Sequence, residues 1–166
     1  MSSDGSTLLF GAFPPKFRFS AEEKRILKSF LSLLCDRLAS GCSVVCLIAD
    51  NGTLQRLNLQ FLDHDYPTDV LSFPSGAEEG ALGELAISVE RAEAQAQEFR
   101  HSRIDEIRIL MLHGVLHLTG LDHERDQGEM ARAERKWRAE FGLPLSLTER
   151  ARVTQASACR AEVPWL

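Results

Sequence analysis

The sequence predicts an α+β fold, a single domain in which a small mixed β-sheet is covered by helices. Three observations predict it. Short β-rich apolar runs such as "CSVVCLIA" and "VLSFP" are interspersed with longer segments of helical period. The 166 residues suffice for one hydrophobic core and are too few for two comfortable ones. The composition, 44% hydrophobic and 26% charged, is that of a globular chain rather than a disordered or fibrous one.

The elements follow in order. "TLLFGAF" (7–13) reads as a first strand, ended by Pro14-Pro15. Ser20 followed by Glu23 forms a capping box and opens a helix over 21–40 that stops at Gly41. "CSVVCLIA" (42–49) is a strand closed by Asp50-Asn51-Gly52, a turn signal. Apolar residues at 54, 57, 61 and 62 suit a short amphipathic helix over 53–62. "DHDYPTD" (63–69) is a loop, "VLSFP" (70–74) a strand, "SGAEEGALG" (75–83) a second loop and "ELAIS" (84–88) another strand. Ser88 caps a helix over 89–100, rich in strong helix formers. After a break at His101-Ser102, a helix over 104–118 has apolar residues all round its axis and is expected to be buried; Gly120 ends it. A last helix over 127–141 stops before Gly142 and Pro144. The domain is therefore expected to occupy residues 1–144, with residues 145–166 a loosely attached tail.

Bulk properties narrow the function. A net charge of −5 excludes a protein that coats nucleic acid by general electrostatic attraction. The longest apolar runs fall far short of a membrane span, and the N-terminus has no pattern of a secretory signal, so a cytoplasmic location without membrane partners is expected. Cys35, Cys42, Cys46 and Cys159 lack the tight pairing of a zinc ribbon and read as small core hydrophobes.

Three of the five histidines fall within "HGVLHLTGLDHE" (113–124). His113 and His117, four apart on a helix, share a face, and His123 follows the Gly120 turn within reach of the same point. Three nitrogen ligands without a fourth describe an open metal site at the end of a buried helix, which is the catalytic pattern; imidazole suits Zn²⁺, and Ni²⁺, Co²⁺ or Cu²⁺ could occupy the same ligands. A zinc protease carries a glutamate after the first histidine as general base; here that residue is Gly114, so the base lies elsewhere. Asp122 and Glu124 flank His123 as candidates, orientation of an imidazole being the role favoured for Asp122. Asp105 and Glu106 lie on the same helix two turns or more before His113. His64 and His101 lack such spacing and are expected on the surface.

This segment resembles the signature of the YbeY family of metal-dependent endoribonucleases, and "LNLQFLDHDYPTDVLSFP" (57–74) and "GELAIS" (83–88) resemble the family's two other blocks, in the same order. The resemblance implies one zinc ion per chain held by His113, His117 and His123. It implies cleavage of single-stranded RNA in maturation of the 3′ end of 16S rRNA, and a part in ribosome quality control. The implied partners are rRNA and the small ribosomal subunit, with a small-subunit ribosomal protein and the GTPase Era. One departure stands out: the family places an arginine six residues before the threonine of its Pro-Thr pair, where this chain has Leu62. Arg56 and Arg108 are conceivable substitutes for its charge, and Leu62 is expected either to leave the chemistry weaker or to pack into the core. Two alternatives compete with the nuclease: a zinc hydrolase of another substrate class, disfavoured by Gly114, and a non-catalytic ribosome-assembly factor with a structural zinc, favoured by Leu62 and the acidic net charge.

Overall fold

Ser20 opens the first long helix as its sequence requires. Its Oγ accepts from the Glu23 N–H while the Glu23 carboxylate accepts from the Ser20 N–H, satisfying two otherwise orphaned donors. The structure, a computed structural model, describes residues 5–76, 80–121, 126–145, 147, 149 and 150. Its elements are β1 (Thr7–Phe10), a 3-10 turn (Pro15–Phe17), α1 (Ala21–Leu38), β2 (Ser43–Ala49), α2 (Asn51–Leu62), β3 (Val70–Pro74), β4 (Ala81–Ser88), α3 (Val89–Phe99), α4 (Arg103–Leu118) and α5 (Glu129–Glu140).

The sheet runs β1-β2-β4-β3, parallel except where β3 pairs antiparallel with β4, so it is mixed as expected. Alternate residues of its central strands serve different layers. Val44, Cys46, Ile48, Leu85 and Ile87 join the main core with α1 and α4. On the other side Ala49, Leu71 and Ala86 pack beneath Leu54 of α2. Helix α4 is the centre of the molecule, with Ile107, Leu110, Met111, Leu112 and Val115 at most 1% exposed. Each such side chain stabilises the fold by about 1.5–3 kcal/mol relative to exposure.

Three boundaries differ from the sequence reading. Asp50-Asn51-Gly52 is not a turn: the Asp50 carboxylate accepts from the Thr53 N–H and hydroxyl at 2.8 and 2.7 Å, so these residues begin α2. The first strand stops at Phe10, short of the expected 13. Strand β4 begins at Ala81 rather than 84, because Gly83 continues the ladder opposite Pro74. At Gly83 (φ +154°) an added Cβ would lie 2.4 Å from the Phe73 carbonyl oxygen, so only glycine permits this approach.

The segment beyond residue 144 has an anchor. Arg150, 5% exposed, donates to both oxygens of Glu106 at 2.8 and 2.6 Å, and Glu149 receives two donors from Arg138 of α5. Glu106 also meets His101 Nε2 at 2.5 Å. His101 is therefore not a surface residue: its side chain is 9% exposed and belongs to this buried charge cluster. His64 does lie on the surface, as expected. Cys35, Cys42 and Cys46 form no disulfide, and burial, reinforced by Cys35, pushes the Cys46 thiol up to about 12, in keeping with a packing role. Cys159 lies outside the described residues.

Candidate active site

Helix α4 delivers two imidazoles to one point. His113 and His117, a turn apart, face each other with their Nε2 atoms 3.0 Å apart and their rings near-perpendicular at 71°. The far side of the His113 ring meets Glu134, which reaches from α5: Nδ1 donates to the Glu134 carboxylate. Glu134 is 1% exposed, so this contact is shielded from water and fixes the tautomer and orientation of the ring. With the proton on Nδ1, the Nε2 lone pair is directed at the position shared with His117.

This donor set fits a zinc ion. Two nitrogens at about 2.0–2.1 Å from a tetrahedral ion lie about 3.3 Å apart, close to the separation present here. A carboxylate behind the first imidazole is the usual support of a metal-binding histidine. No third histidine, cysteine or acidic side chain joins the pair among the described residues, and His123, Asp122 and Glu124 lie outside them. The helix does end at the Gly120 turn, as expected. Gly120 (φ +103°) ends α4, with its N–H donating to the His117 carbonyl and the Leu121 N–H to that of Leu116.

The two histidines open into a cleft of about 510 Å³, whose walls include Leu62, Thr68, Asp69 and Ser72. Leu62 is 46% exposed, so the expectation that it packs into the core is not met. It ends α2 and faces the cleft, where the family's arginine position would place a charge. Neither suggested substitute reaches the cleft. Arg56 donates to Thr53 on its own helix, and Arg108 pairs with Asp105 and lies over the Phe30 ring. Asp69 is firmly held, its carboxylate accepting from the Val70 N–H and Gln95, its carbonyl from Ser88.

Gly114 also acquires a physical reason. A Cβ there would come within 2.6 Å of Leu85 Cδ2, so the residue lets α4 lie close on β4. A proton-transferring side chain has no room in that seam. Asp105 and Glu106 do not approach the histidines either: Asp105 pairs with Arg108 and Glu106 with Arg150. Glu134 was missed by sequence reasoning because it lies 21 residues from His113, in a helix whose charged residues look solvated.

An α+β domain with two converging imidazoles, a buried carboxylate behind one of them and a solvent-open cleft defines a protein with a candidate catalytic or metal-binding site. Comparison with known proteins gives the particular family. Residues 15–142 match the family model of Endoribonuclease YbeY. The Endoribonuclease YbeY of Solibacter usitatus is 50% identical over 149 residues, covering 90% of this chain and 97% of that one. That of Nautilia profundicola is 43% identical, covering 75% and 86%. A solution structure from Thermotoga maritima aligns with a TM-score of 0.55 and 28% identity, over 79% of this chain and 85% of that one. The chain belongs to the Endoribonuclease YbeY family. No helix among the described residues is long and apolar enough to cross a membrane.

Proposed function

We propose that this protein is a zinc-dependent endoribonuclease that cuts single-stranded RNA in the cleft beside His113 and His117. Its place in the cell is then the cytoplasm and the small ribosomal subunit, in maturation of the 3′ end of 16S rRNA and ribosome quality control. A small-subunit ribosomal protein and the GTPase Era are the partners that its family membership suggests. The observation that carries the reading is the convergence of His113 and His117 Nε2 atoms backed by the buried Glu134 carboxylate.

His113, His117 and His123 would hold the ion, one per chain. Zinc supplies, when bound, a Lewis acid that activates water near neutral pH and offsets charge on phosphoryl oxygens. The chain's own groups do the rest. Glu134 keeps the Nδ1 proton on His113, so that Nε2 stays available as a ligand. Thr68 and Ser72 line the cleft with hydroxyls whose protons point to the Asp69 carboxylate and the Gly114 carbonyl, so their oxygens are suited to accept from ribose hydroxyls of a strand lying there. Asp122 and Glu124 are proposed as neighbours of His123 that orient its ring or carry a proton. Leu62 supplies no donor for phosphate, which predicts slow cleavage by the isolated protein.

The test is to incubate the zinc-loaded protein with labelled single-stranded RNA, duplex RNA and casein. Cleavage of the single strand alone supports the proposal; casein cleavage points to another hydrolase, against which the close packing at Gly114 argues. Leu62 in the cleft favours one second reading, a non-catalytic assembly factor with a structural zinc. A zinc-replete protein inert towards rRNA precursors yet bound to small subunits would establish that alternative.

A further inference from the structure

We propose that the His64–Tyr66 ring pair at the rim of the cleft is a stacking subsite for an unpaired base of the RNA strand. The inference rests on the ribonuclease reading and deepens it. Residues 63–69 connect α2 to β3; Leu62 immediately before them and Thr68 and Asp69 at their end line the cleft, so His64 and Tyr66 lie between two cleft-lining positions of the chain. Tyr66 is 53% exposed, and its ring lies over that of His64 with centroids 5.4 Å apart and planes inclined by 14°. The Tyr66 hydroxyl and His64 Nδ1 are 3.2 Å apart, which keeps the two rings in register.

The loop beneath the rings is tied down at every step. Buried Asn58 donates from Nδ2 to the Tyr66 carbonyl at 2.9 Å, and its own carbonyl accepts from the His64 N–H at 3.2 Å. Gln55 donates to Asp65 at 2.9 Å, and Arg91 to the Pro67 carbonyl at 3.2 Å. An aromatic surface that is both exposed and held rigid loses little conformational freedom when a ligand covers it. Phe61 is also exposed, but its ring packs against Phe73 and serves the outer face of the sheet.

Charge indicates what covers the rings. Among the described residues lining the cleft there is no lysine or arginine, Asp69 is acidic, and the chain carries −5 overall. The described lining of the cleft thus offers phosphate no cation, and a contact of another kind adds hold on a strand there. Base–aromatic stacking is sequence-tolerant and needs no charge. It also requires a base with an open face, which a duplex does not offer, so the platform selects unpaired RNA.

Tyr66 is the only tyrosine in the chain, so ¹³C-tyrosine labelling places a single NMR probe on the platform. Hexa-adenylate should move its ring signals upfield, and an abasic chain of the same length should not. Tyr66→Ala should weaken hexa-adenylate binding by about 5- to 150-fold, the span of one stacked base, while Tyr66→Phe retains it. Hexa-adenylate binding with the tyrosine signals unmoved overturns the subsite, as does undiminished binding by Tyr66→Ala. If Tyr66→Ala loses capture of a ribosomal protein but not of RNA, the rings are a protein contact and the subsite is likewise overturned. Cleavage of RNA with an inert platform leaves the nuclease standing, whereas a wild-type protein that neither binds nor cuts RNA removes both.

Discussion

Glu134 on α5 accepts a hydrogen bond from His113 Nδ1 on α4, and the contact lies within the packed interior of the molecule, with Glu134 1% exposed. The fold thus joins two helices through the orientation of one imidazole. If that imidazole is a zinc ligand, Glu134→Gln keeps the shape but replaces a carboxylate with a weaker amide acceptor. Zinc affinity should fall about 10- to 100-fold, read by competition with a chelator. Wild-type affinity in the variant would contradict the role given to Glu134.

Leu62→Arg should raise single-strand RNA cleavage on the order of 10²-fold, because a guanidinium offers paired donors to phosphate oxygens. Leu62 is 46% exposed and opens on the cleft, so the charge stays in contact with water and the fold should tolerate it. Zinc content should not change. A stable variant with an unaltered rate would show that the guanidinium's role does not transfer to this chain.

Asp50 caps α2, whose last residue is Leu62, and hydrogen bonds from the Thr53 hydroxyl and N–H hold its carboxyl below the ordinary carboxylate range. A depressed folded value means that the stabilisation is present above the unfolded pKa and is lost as pH falls through the folded one. Asp50→Ala should cost about 1 kcal/mol at neutral pH. In denaturant titrations repeated below pH 4 the gap between variant and wild type should close. A gap that stays constant into acid would mean that the cap does not depend on the ionised carboxylate.

Arg150 and Glu106 are 5% and 0% exposed and paired through two hydrogen bonds. Removing one partner leaves a buried charge poorly compensated, so Arg150→Met should cost about 3–5 kcal/mol in chemical denaturation. Undiminished stability of Arg150→Met would show that the pair contributes nothing net.

Much of the fold was legible because local chemistry and final structure agree. Ser20 and Ser88 cap the helices their positions announce, and the all-round apolar pattern of 104–118 does become the central helix. Asp50-Asn51-Gly52 was misread because a capping aspartate and a turn aspartate use the same side-chain bond, and only the continuation distinguishes them. In the site, the pairing of His113 with His117 was readable from the helical period. Glu134 was not, since its contact joins two helices, and the ring pair was not, since it depends on a loop geometry that periodicity does not report. His101 was misplaced because Glu106, five residues on, looks like a solvated first-turn acid until Arg150 from the segment after α5 packs against it and buries the cluster.

The central claim, that His113 and His117 belong to a zinc site, is tested most directly by metal analysis of the purified protein beside His117→Ala. About one zinc per chain is expected in the wild type, with most of it lost from a variant that keeps its fold by circular dichroism, because two remaining ligands hold zinc poorly. Full retention of zinc by folded His117→Ala, or a wild type that takes up none when zinc is offered, would contradict the account.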